Sequence, residues 1–198
     1  MKKILLFIIL ILSFQILAKA NDIRDFEIEG ISIGDSALNF FEKKQIDDAK
    51  SFYPGNDNFF RVALKYPSDS FERIQLHIKN NDPTYKIYGL SGLIFYKERN
   101  TSETNCLKKH KEITKSLSQM LKDLKTTKLK KVAIEHDKTG NSFHHTIYFD
   151  FNDEQTEFIK IGCVIYGDEY FKKEGFYDHL RLGFQTVEFT KWMKNGAF

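Results

Sequence analysis

The chain has 198 residues, of which 41% are hydrophobic and 29% are charged, and its formal net charge is +3. Lys2, Lys3 and Lys19 account for that excess, so the rest of the chain carries 27 basic and 27 acidic residues. The balance argues against a general attraction to nucleic acid or to an anionic membrane, while the length suffices for one domain with a real core.

The first predicted element is an export signal at residues 1–20. Two lysines precede an apolar stretch at residues 4–17, and Ala18-Lys19-Ala20 has the small-x-small pattern that signal peptidases cleave. The apolar stretch is shorter than the roughly 20 residues of a membrane span. We therefore predict a cleavable signal peptide at 1–20, a single domain at 21–198, no transmembrane span after cleavage, and a periplasmic or secreted location. Retention of the signal as an anchor stays open.

The next segment predicts a strand, a short helix and three more strands. Residues 25–33 (DFEIEGISI) alternate loosely between apolar and charged side chains, which is typical of a half-buried strand, and residues 35–44 predict a helix. Alternation at 59–66 and 71–79 and the apolar stretch at 85–96 predict the three further strands.

Gly34-Asp35-Ser36, at the end of the first strand, resembles the way in which GDSL-type hydrolases present their catalytic serine. Those enzymes supply the catalytic base from an Asp-x-x-His motif, and none of the six histidines here follows an aspartate at that spacing. We therefore reject the hydrolase resemblance. Ser36 is instead interpreted as part of a helix cap, in which the side chain of Asp35 or of Ser36 accepts an otherwise unpaired backbone N–H of the following helix.

The second half of the chain predicts a long helix and three strands. The helix covers about 104–125, a hairpin covers 141–151 and 156–166, a strand covers 178–185, and a short helix follows Thr186. This order lacks the regular strand–helix alternation of a parallel sheet. We therefore predict an α+β fold in which a single antiparallel sheet of about six to seven strands has one long and two short helices covering one face.

Cys106 and Cys163 are the two cysteines of the chain. Cys106 lies on the apolar stripe of the long helix, and Cys163 lies on the apolar face of its strand. A helix packed on a sheet brings such faces together, and disulfides persist in exported proteins. We predict a Cys106–Cys163 disulfide, with two buried free thiols as the alternative.

No motif identifies a catalytic residue, a metal site or a cofactor, because the sequence contains neither HxH nor HExxH. A groove for a small ligand is predicted at three tyrosines that lie near two glycines, Tyr85, Tyr88 and Tyr96.

The segment Lys108–Lys131 carries nine lysines against Glu112 and Asp123. It is either a solvated helix face and loop or a docking surface for an anionic partner such as a polysaccharide or membrane head groups.

Four features together resemble short exported bacterial proteins of unknown function. They are the stretches IRDFEIEGISIGDS, YKIYGLSGLIFY and YDHLRL and the cysteine at the start of the long helix. The resemblance implies export and a single domain, and it assigns no catalytic residue. We expect a non-enzymatic periplasmic or secreted module that binds a protein or an envelope component. A periplasmic hydrolase with an unrecognised site and a small-ligand carrier with an aromatic groove are the alternatives.

Overall fold

The computed structural model describes residues 22–197, which form an eight-stranded antiparallel sheet, a two-stranded sheet and four α-helices. The predicted signal peptide lies outside the described residues. The helices are α1 (Lys43–Asp48), α2 (Arg99–Met120), α3 (Asp168–Glu174) and α4 (Val187–Gly196). The strands are β1 (Glu27–Ile28), β2 (Ile31–Ser32), β3 (Ser51–Phe52), β4 (Phe59–Leu64), β5 (Arg73–Lys79), β6 (Ile87–Tyr96), β7 (Lys125–Ala133), β8 (Phe143–Asp150), β9 (Phe158–Ile165) and β10 (Asp178–Gln185).

The main sheet consists of two meanders that meet at its centre. Its strand order is β3-β4-β5-β6-β10-β9-β8-β7, and every neighbouring pair is antiparallel. Helix α2 carries the chain from the central β6 to the far edge at β7. Its 22 residues span about 33 Å, more than the roughly 19 Å that separate these strands. The antiparallel α+β fold is confirmed.

The strand count differs from the prediction because the two edge strands have no periodic signal. Strand β7 is exposed along nearly its whole length, and its lysines give no apolar alternation. The sequence therefore predicted a helix continuing to residue 125, whereas α2 runs from Arg99 to Met120. Strand β3 has two residues, both exposed. The main sheet accordingly has eight strands, not six to seven.

The first predicted strand and helix are each divided in two. Glu29 and Gly30 have φ angles of 56° and 76°, which place both in the left-handed region that a tight two-residue hairpin turn requires. The stretch 25–33 is therefore the β1–β2 hairpin. The predicted helix at 35–44 is a 3₁₀ turn at Ala37–Asn39 followed by the separate helix α1.

Ser36 caps the 3₁₀ turn, as its position suggested. Its Oγ accepts the Leu38 N–H at 3.3 Å and donates to the Thr84 carbonyl oxygen at 2.6 Å. Replacing Ser36 with alanine is expected to lower the free energy of unfolding by about 1 kcal/mol. Urea denaturation measures this, with Ser118→Ala at an exposed position on α2 as the control. Equal midpoints for the two variants would show that the Ser36 hydroxyl does not stabilise the fold.

One face of the main sheet, here called the first face, packs against α2. The Cys106–Cys163 disulfide joins α2 to β9 with a Cα–Cα distance of 5.9 Å, so the predicted pairing is confirmed. The His110 imidazole also contacts the Ile161 carbonyl oxygen at 3.2 Å. Alternate residues of the central strands point into this core and are fully buried, among them Ile74, Leu76, Leu90, Ile159, Ile161 and Leu180.

The opposite side, here called the second face, is partly covered by α4. Phe189 stacks on His77 with ring centroids 4.4 Å apart, and it packs with Tyr53, Phe59 and Trp192 in a separate aromatic cluster. The prediction of helices on one face only was therefore wrong, and there are three short helices instead of two. Thr186 alone separates β10 from α4, and the apolar side of the helix covers the second face beside β6.

No helix within residues 22–197 is long and apolar enough to cross a membrane.

Candidate functional site: a polar cleft on the second face

The part of the second face that α4 leaves uncovered contains a cleft of about 430 Å³. It lies over β8, β9 and β10, and the end of β7 and the segment after it form one wall. Its volume falls in the range of small-molecule sites, about 300–1,000 Å³. The lining residues that come from β8, β9 and β10 are His144, Thr146, Tyr148, Lys160, Gly162, Val164, His179 and Arg181.

Strand register places two long cationic side chains beside two glycines. Arg181 of β10 pairs with Gly162 of β9, and Lys160 of β9 pairs with Gly183 of β10. A Cβ at Gly162 would lie 2.8 Å from Thr146 Oγ1, and one at Gly183 would lie 2.6 Å from the Ser91 hydroxyl oxygen. A side chain at either place would therefore displace the neighbouring hydroxyl group. The two cations occupy diagonal positions, and each has a glycine opposite it on one neighbouring strand and a bulky residue on the other, Leu93 opposite Arg181 and Tyr148 opposite Lys160.

Arg181 is positioned by a chain of buried polar groups. Its Nη2 donates to Gln75 Oε1 at 3.0 Å, and Gln75 Nε2 lies 3.2 Å from His77 Nε2. His77 Nδ1 lies 2.6 Å from the Tyr53 hydroxyl. Because the guanidinium can only donate, the Gln75 oxygen must accept, its amide donates to His77 Nε2, and the His77 proton is on Nδ1. These hydrogen bonds do not involve Arg181 Nε, which is buried and has no hydrogen-bond partner among the described residues.

Lys160 carries the second cation of the cleft. Burial, and after it the charge of Arg181, lower the pKa of Lys160 to about 7. Within residues 22–197 neither Lys160 nor Arg181 has a carboxylate within ion-pair distance. Both side chains are partly removed from water. Basic groups desolvated without an acidic partner cost folding free energy, so the arrangement needs an explanation beyond stability.

Aromatic side chains form the end of the cleft next to α3. The Tyr166 ring stacks on Tyr170 at a centroid distance of 5.6 Å and lies 6.0 Å from the His179 ring. Burial raises the pKa of Tyr166 to about 12 and also raises the pKa of Tyr148. Both phenols therefore stay protonated at neutral pH and can donate hydrogen bonds to a ligand.

The buried carboxylate of Asp178 anchors this end from the first face. Asp178 accepts hydrogen bonds from Arg99 Nη1 at 3.3 Å, from the Tyr166 N–H at 2.7 Å and from the Ser102 hydroxyl. It is 1% exposed. Asp178 and His179 are adjacent in β10, so their side chains point to opposite faces of the sheet. Asp178 fixes the backbone at Tyr166 and the start of α2.

His179 predicts how the stability of the protein depends on pH. Burial and the charge of Arg181 lower the pKa of His179 from its ordinary value of 6.5 to about 4. Between these values the unfolded chain binds a proton that the folded protein does not, so stability falls as the pH falls from 6.5 to 4. Replacing His179 with glutamine is expected to remove about 3 kcal/mol of that loss.

Urea denaturation at pH 7, 5.5 and 4.5 measures this dependence. His136→Gln is the control because His136 is exposed. Equal loss of stability in the His179→Gln and His136→Gln variants would contradict the assignment to His179.

The structure does not bring the three tyrosines of the predicted groove together. Tyr85 and Tyr96 pack against the main core, whereas Tyr88 packs against Phe59 in the aromatic cluster under α4. Tyr88 also lines a second cleft of about 560 Å³ near the start of α4. That cleft carries both basic and acidic side chains, Arg24, Lys86, Glu157 and Glu188.

The histidines of the second face each contact a neighbouring side chain or backbone atom. His144 Nδ1 lies 2.8 Å from Thr146 Oγ1, His179 Nδ1 lies 3.0 Å from the Tyr177 carbonyl oxygen, and His77 lies between Tyr53 and Gln75. No group of three histidine, cysteine or acidic residues in the described part of the chain could hold a metal ion. What the cleft offers a ligand is therefore a set of hydrogen-bond donors and a positive charge.

The lysine-rich segment Lys108–Lys131 is divided among α2, the loop that follows it and β7. Lys109 pairs with Glu112 at 3.6 Å, and the other eight lysines have no ion pair with any residue of 22–197. Strand β7 also has a bulge, where Lys131 has a φ of 51° and its N–H contacts His145 Nδ1 at 3.3 Å. Lysines and a bulge on an edge strand discourage pairing with a strand of another chain.

Comparisons of the chain with protein-family models, with curated proteins and with solved structures found no match.

Proposed function

We propose that the chain is an exported, non-enzymatic binding module and that the second-face cleft is its ligand site. The observation that carries the proposal is the pair of cations Lys160 and Arg181, which line the cleft without an acidic partner among the described residues. A fold rarely retains desolvated charge that costs stability unless a ligand uses it. The rigid sheet supports this proposal, because sites on regular elements hold side chains accurately.

Export is supported by two independent features. The first 20 residues have the pattern of a cleavable signal, and the Cys106–Cys163 disulfide is compatible with an oxidising compartment. The buried disulfide connects α2 to the middle of the sheet. A periplasmic or secreted protein of this kind meets its ligand outside the cytoplasm.

A hydrolytic function finds less support in the cleft. The one hydroxyl–imidazole contact among its lining residues joins Thr146 to His144, two positions along the same strand. Thr146 is 8% exposed, and Gly162 lies directly beside it on β9. A substrate carbonyl cannot easily reach such a hydroxyl, which favours binding over nucleophilic catalysis. Ser36 lies elsewhere, bonded to Thr84 and Leu38.

Native mass spectrometry of the exported full chain tests the proposed ligand site. Wild-type protein is expected to carry a small molecule that is absent from a Val164→Trp variant, because Val164 lines the cleft and a larger side chain would fill it. Met120→Trp, at an exposed position at the end of α2, is the matched control and should retain the molecule. Absence of any ligand from the wild type, or equal occupancy in Val164→Trp, would overturn the proposal.

The eight unpaired lysines support a second surface, which we propose as a docking site for an anionic polysaccharide of the envelope. The triple variant Lys125→Gln, Lys128→Gln, Lys130→Gln is expected to leave an immobilised anionic polysaccharide at lower salt than the wild type. A control variant removes three exposed lysines elsewhere, Lys65, Lys172 and Lys194, and so changes the net charge equally. Equal elution of the two variants would show that net charge alone decides retention.

A further inference from the structure

We propose that the second-face cleft binds a small organic anion, a carboxylate or a phosphate ester, between the side chains of Arg181 and Lys160. This inference rests on the proposed function of the cleft as a ligand site and names the chemistry of the ligand. It follows from the charge of the lining residues, from the strand register and from the hydrogen-bonding capacity left unused there.

The charge of the cleft is positive and poorly compensated. Arg181 and Lys160 lie on its floor, and Glu135, the one carboxylate among its lining residues, is an exposed side chain on the rim. The same positive charge is felt by its neighbours, since Arg181 lowers the pKa of both Lys160 and His179. An anion bound there would meet two cations in a partly desolvated site, where electrostatic attraction is stronger than in water.

The geometry suits a group with two or three oxygen atoms. Diagonal residues on neighbouring antiparallel strands lie about 7–8 Å apart, so the two long side chains can reach one oxyanion between them. Gln75 accepts one hydrogen bond from Arg181, and the guanidinium has five N–H groups. Arginine binds carboxylates and phosphates through pairs of parallel hydrogen bonds, which favours these anions over a halide.

The surroundings suit an organic ligand rather than a bare inorganic ion. The cleft volume of about 430 Å³ is larger than one sulfate or phosphate requires. The rings of Tyr148 and Tyr166 border the cleft beside Val164, and both tyrosines retain their hydroxyl protons at neutral pH. An apolar or hydroxylated body attached to the anionic group would contact these rings.

Binding of the anion should depend on pH through Lys160. Only the protonated amine attracts an anion, so affinity should fall as the pH rises from 6.5 to 9, and binding should be accompanied by proton uptake. Burial keeps His179 and His144 neutral in this range by lowering the pKa of each, and it keeps the phenols protonated. The titratable and charged groups that line the cleft with Lys160 are Glu135, His136, His144, Tyr148, Tyr166, His179 and Arg181.

Thermal melting with sulfate and with succinate as probes tests the proposal on the exported full chain. Sodium chloride holds the ionic strength constant, and sulfate does not titrate between pH 6.5 and 9. The midpoint of the wild type should rise by about 3–6 °C at a probe concentration ten times its Kd. The rise should be smaller at pH 9, and the more effective probe indicates whether a tetrahedral oxyanion or a carboxylate is preferred.

Lys160→Met is the decisive variant because its two expected effects have opposite signs. Without a probe its midpoint should be higher than that of the wild type, since a partly desolvated amine with no carboxylate partner among the described residues has been removed. Its affinity for the probe should be at least tenfold weaker. Lys128→Met, which removes an exposed lysine from β7, should change neither quantity. Arg181→Met is a second variant, and Lys160→Met still decides the question if Arg181→Met does not fold.

The outcomes separate the two proposals. Equal probe effects on the wild type and Lys160→Met would overturn the anion site. A neutral ligand found in the wild type but absent from Val164→Trp, with no response to either probe, would overturn the anion site and leave the cleft as a binding site. Absence of both a ligand and a probe response would overturn both proposals.

Discussion

Replacing Cys106 and Cys163 together with alanine is expected to lower the free energy of unfolding by about 4 kcal/mol. The disulfide closes a loop of 57 residues, and its loss releases the unfolded chain from that constraint. For a domain of this size the loss corresponds to a fall in the melting midpoint of about 8–16 °C. Urea denaturation and thermal melting measure the effect.

Reduction of the wild-type protein is the matched control for the double alanine variant. The reduced protein should approach the stability of that variant, and a reductant should leave the variant itself unchanged. A loss below about 1 kcal/mol would show that the disulfide contributes little, as happens when the unfolded chain retains structure around the cysteines.

Replacing Asp178 with alanine is expected to cost about 3–5 kcal/mol, because it removes a buried carboxylate that accepts three hydrogen bonds, one of them from the partly exposed Arg99. Arg99 would keep its charge at the start of α2, and the Ser102 hydroxyl and the Tyr166 N–H would lose the acceptor that they now share. Arg99 would keep its bonds to Asp168 and to the Tyr166 carbonyl oxygen, and the Ser102 hydroxyl could still donate to the Arg99 carbonyl oxygen, so the Tyr166 N–H is the group most affected. The loss should therefore exceed that of a single neutral hydrogen bond.

Asp168→Ala is the matched control for Asp178→Ala. Asp168 also accepts from Arg99, at 2.8 Å, but its side chain is 79% exposed. Exposed ion pairs contribute about 0–1 kcal/mol, so Asp168→Ala should have little effect on urea denaturation. Similar losses for the two variants would show that the burial of Asp178 does not determine its contribution.

These two stabilising features lie directly behind the cleft. Cys163 lies between Gly162 and Val164 of the cleft, and Asp178 precedes His179. Because adjacent strand residues point to opposite faces, each contact on the first face fixes the backbone of a cleft residue on the second. The unpaired cations reduce stability there, and the disulfide and the Asp178 network offset that reduction. Both should therefore hold the cleft in shape.

Much of the fold could be predicted from the sequence because burial leaves a periodic pattern. The alternation of Ile74, Leu76 and Ile78 indicated β5, and that of Ile159, Ile161 and Cys163 indicated β9. The helix stripe containing Cys106 then indicated the disulfide. Strand β7 could not be predicted, because an edge strand exposed on both sides has no such pattern, and only its hydrogen bonds to β8 define it.

The candidate site could not be predicted in the same way. Lys160 between two isoleucines and Arg181 between two leucines have the pattern of a solvated strand face, and many lysines elsewhere in the chain share it. By itself the sequence determined the class of fold, the inward faces of the central strands and the cysteine pairing, since each depends on local periodicity. The tertiary structure alone decided that Lys160 and Arg181 share a cleft. That outcome depends on the register that places each opposite a glycine, and on α4, which covers only part of the second face.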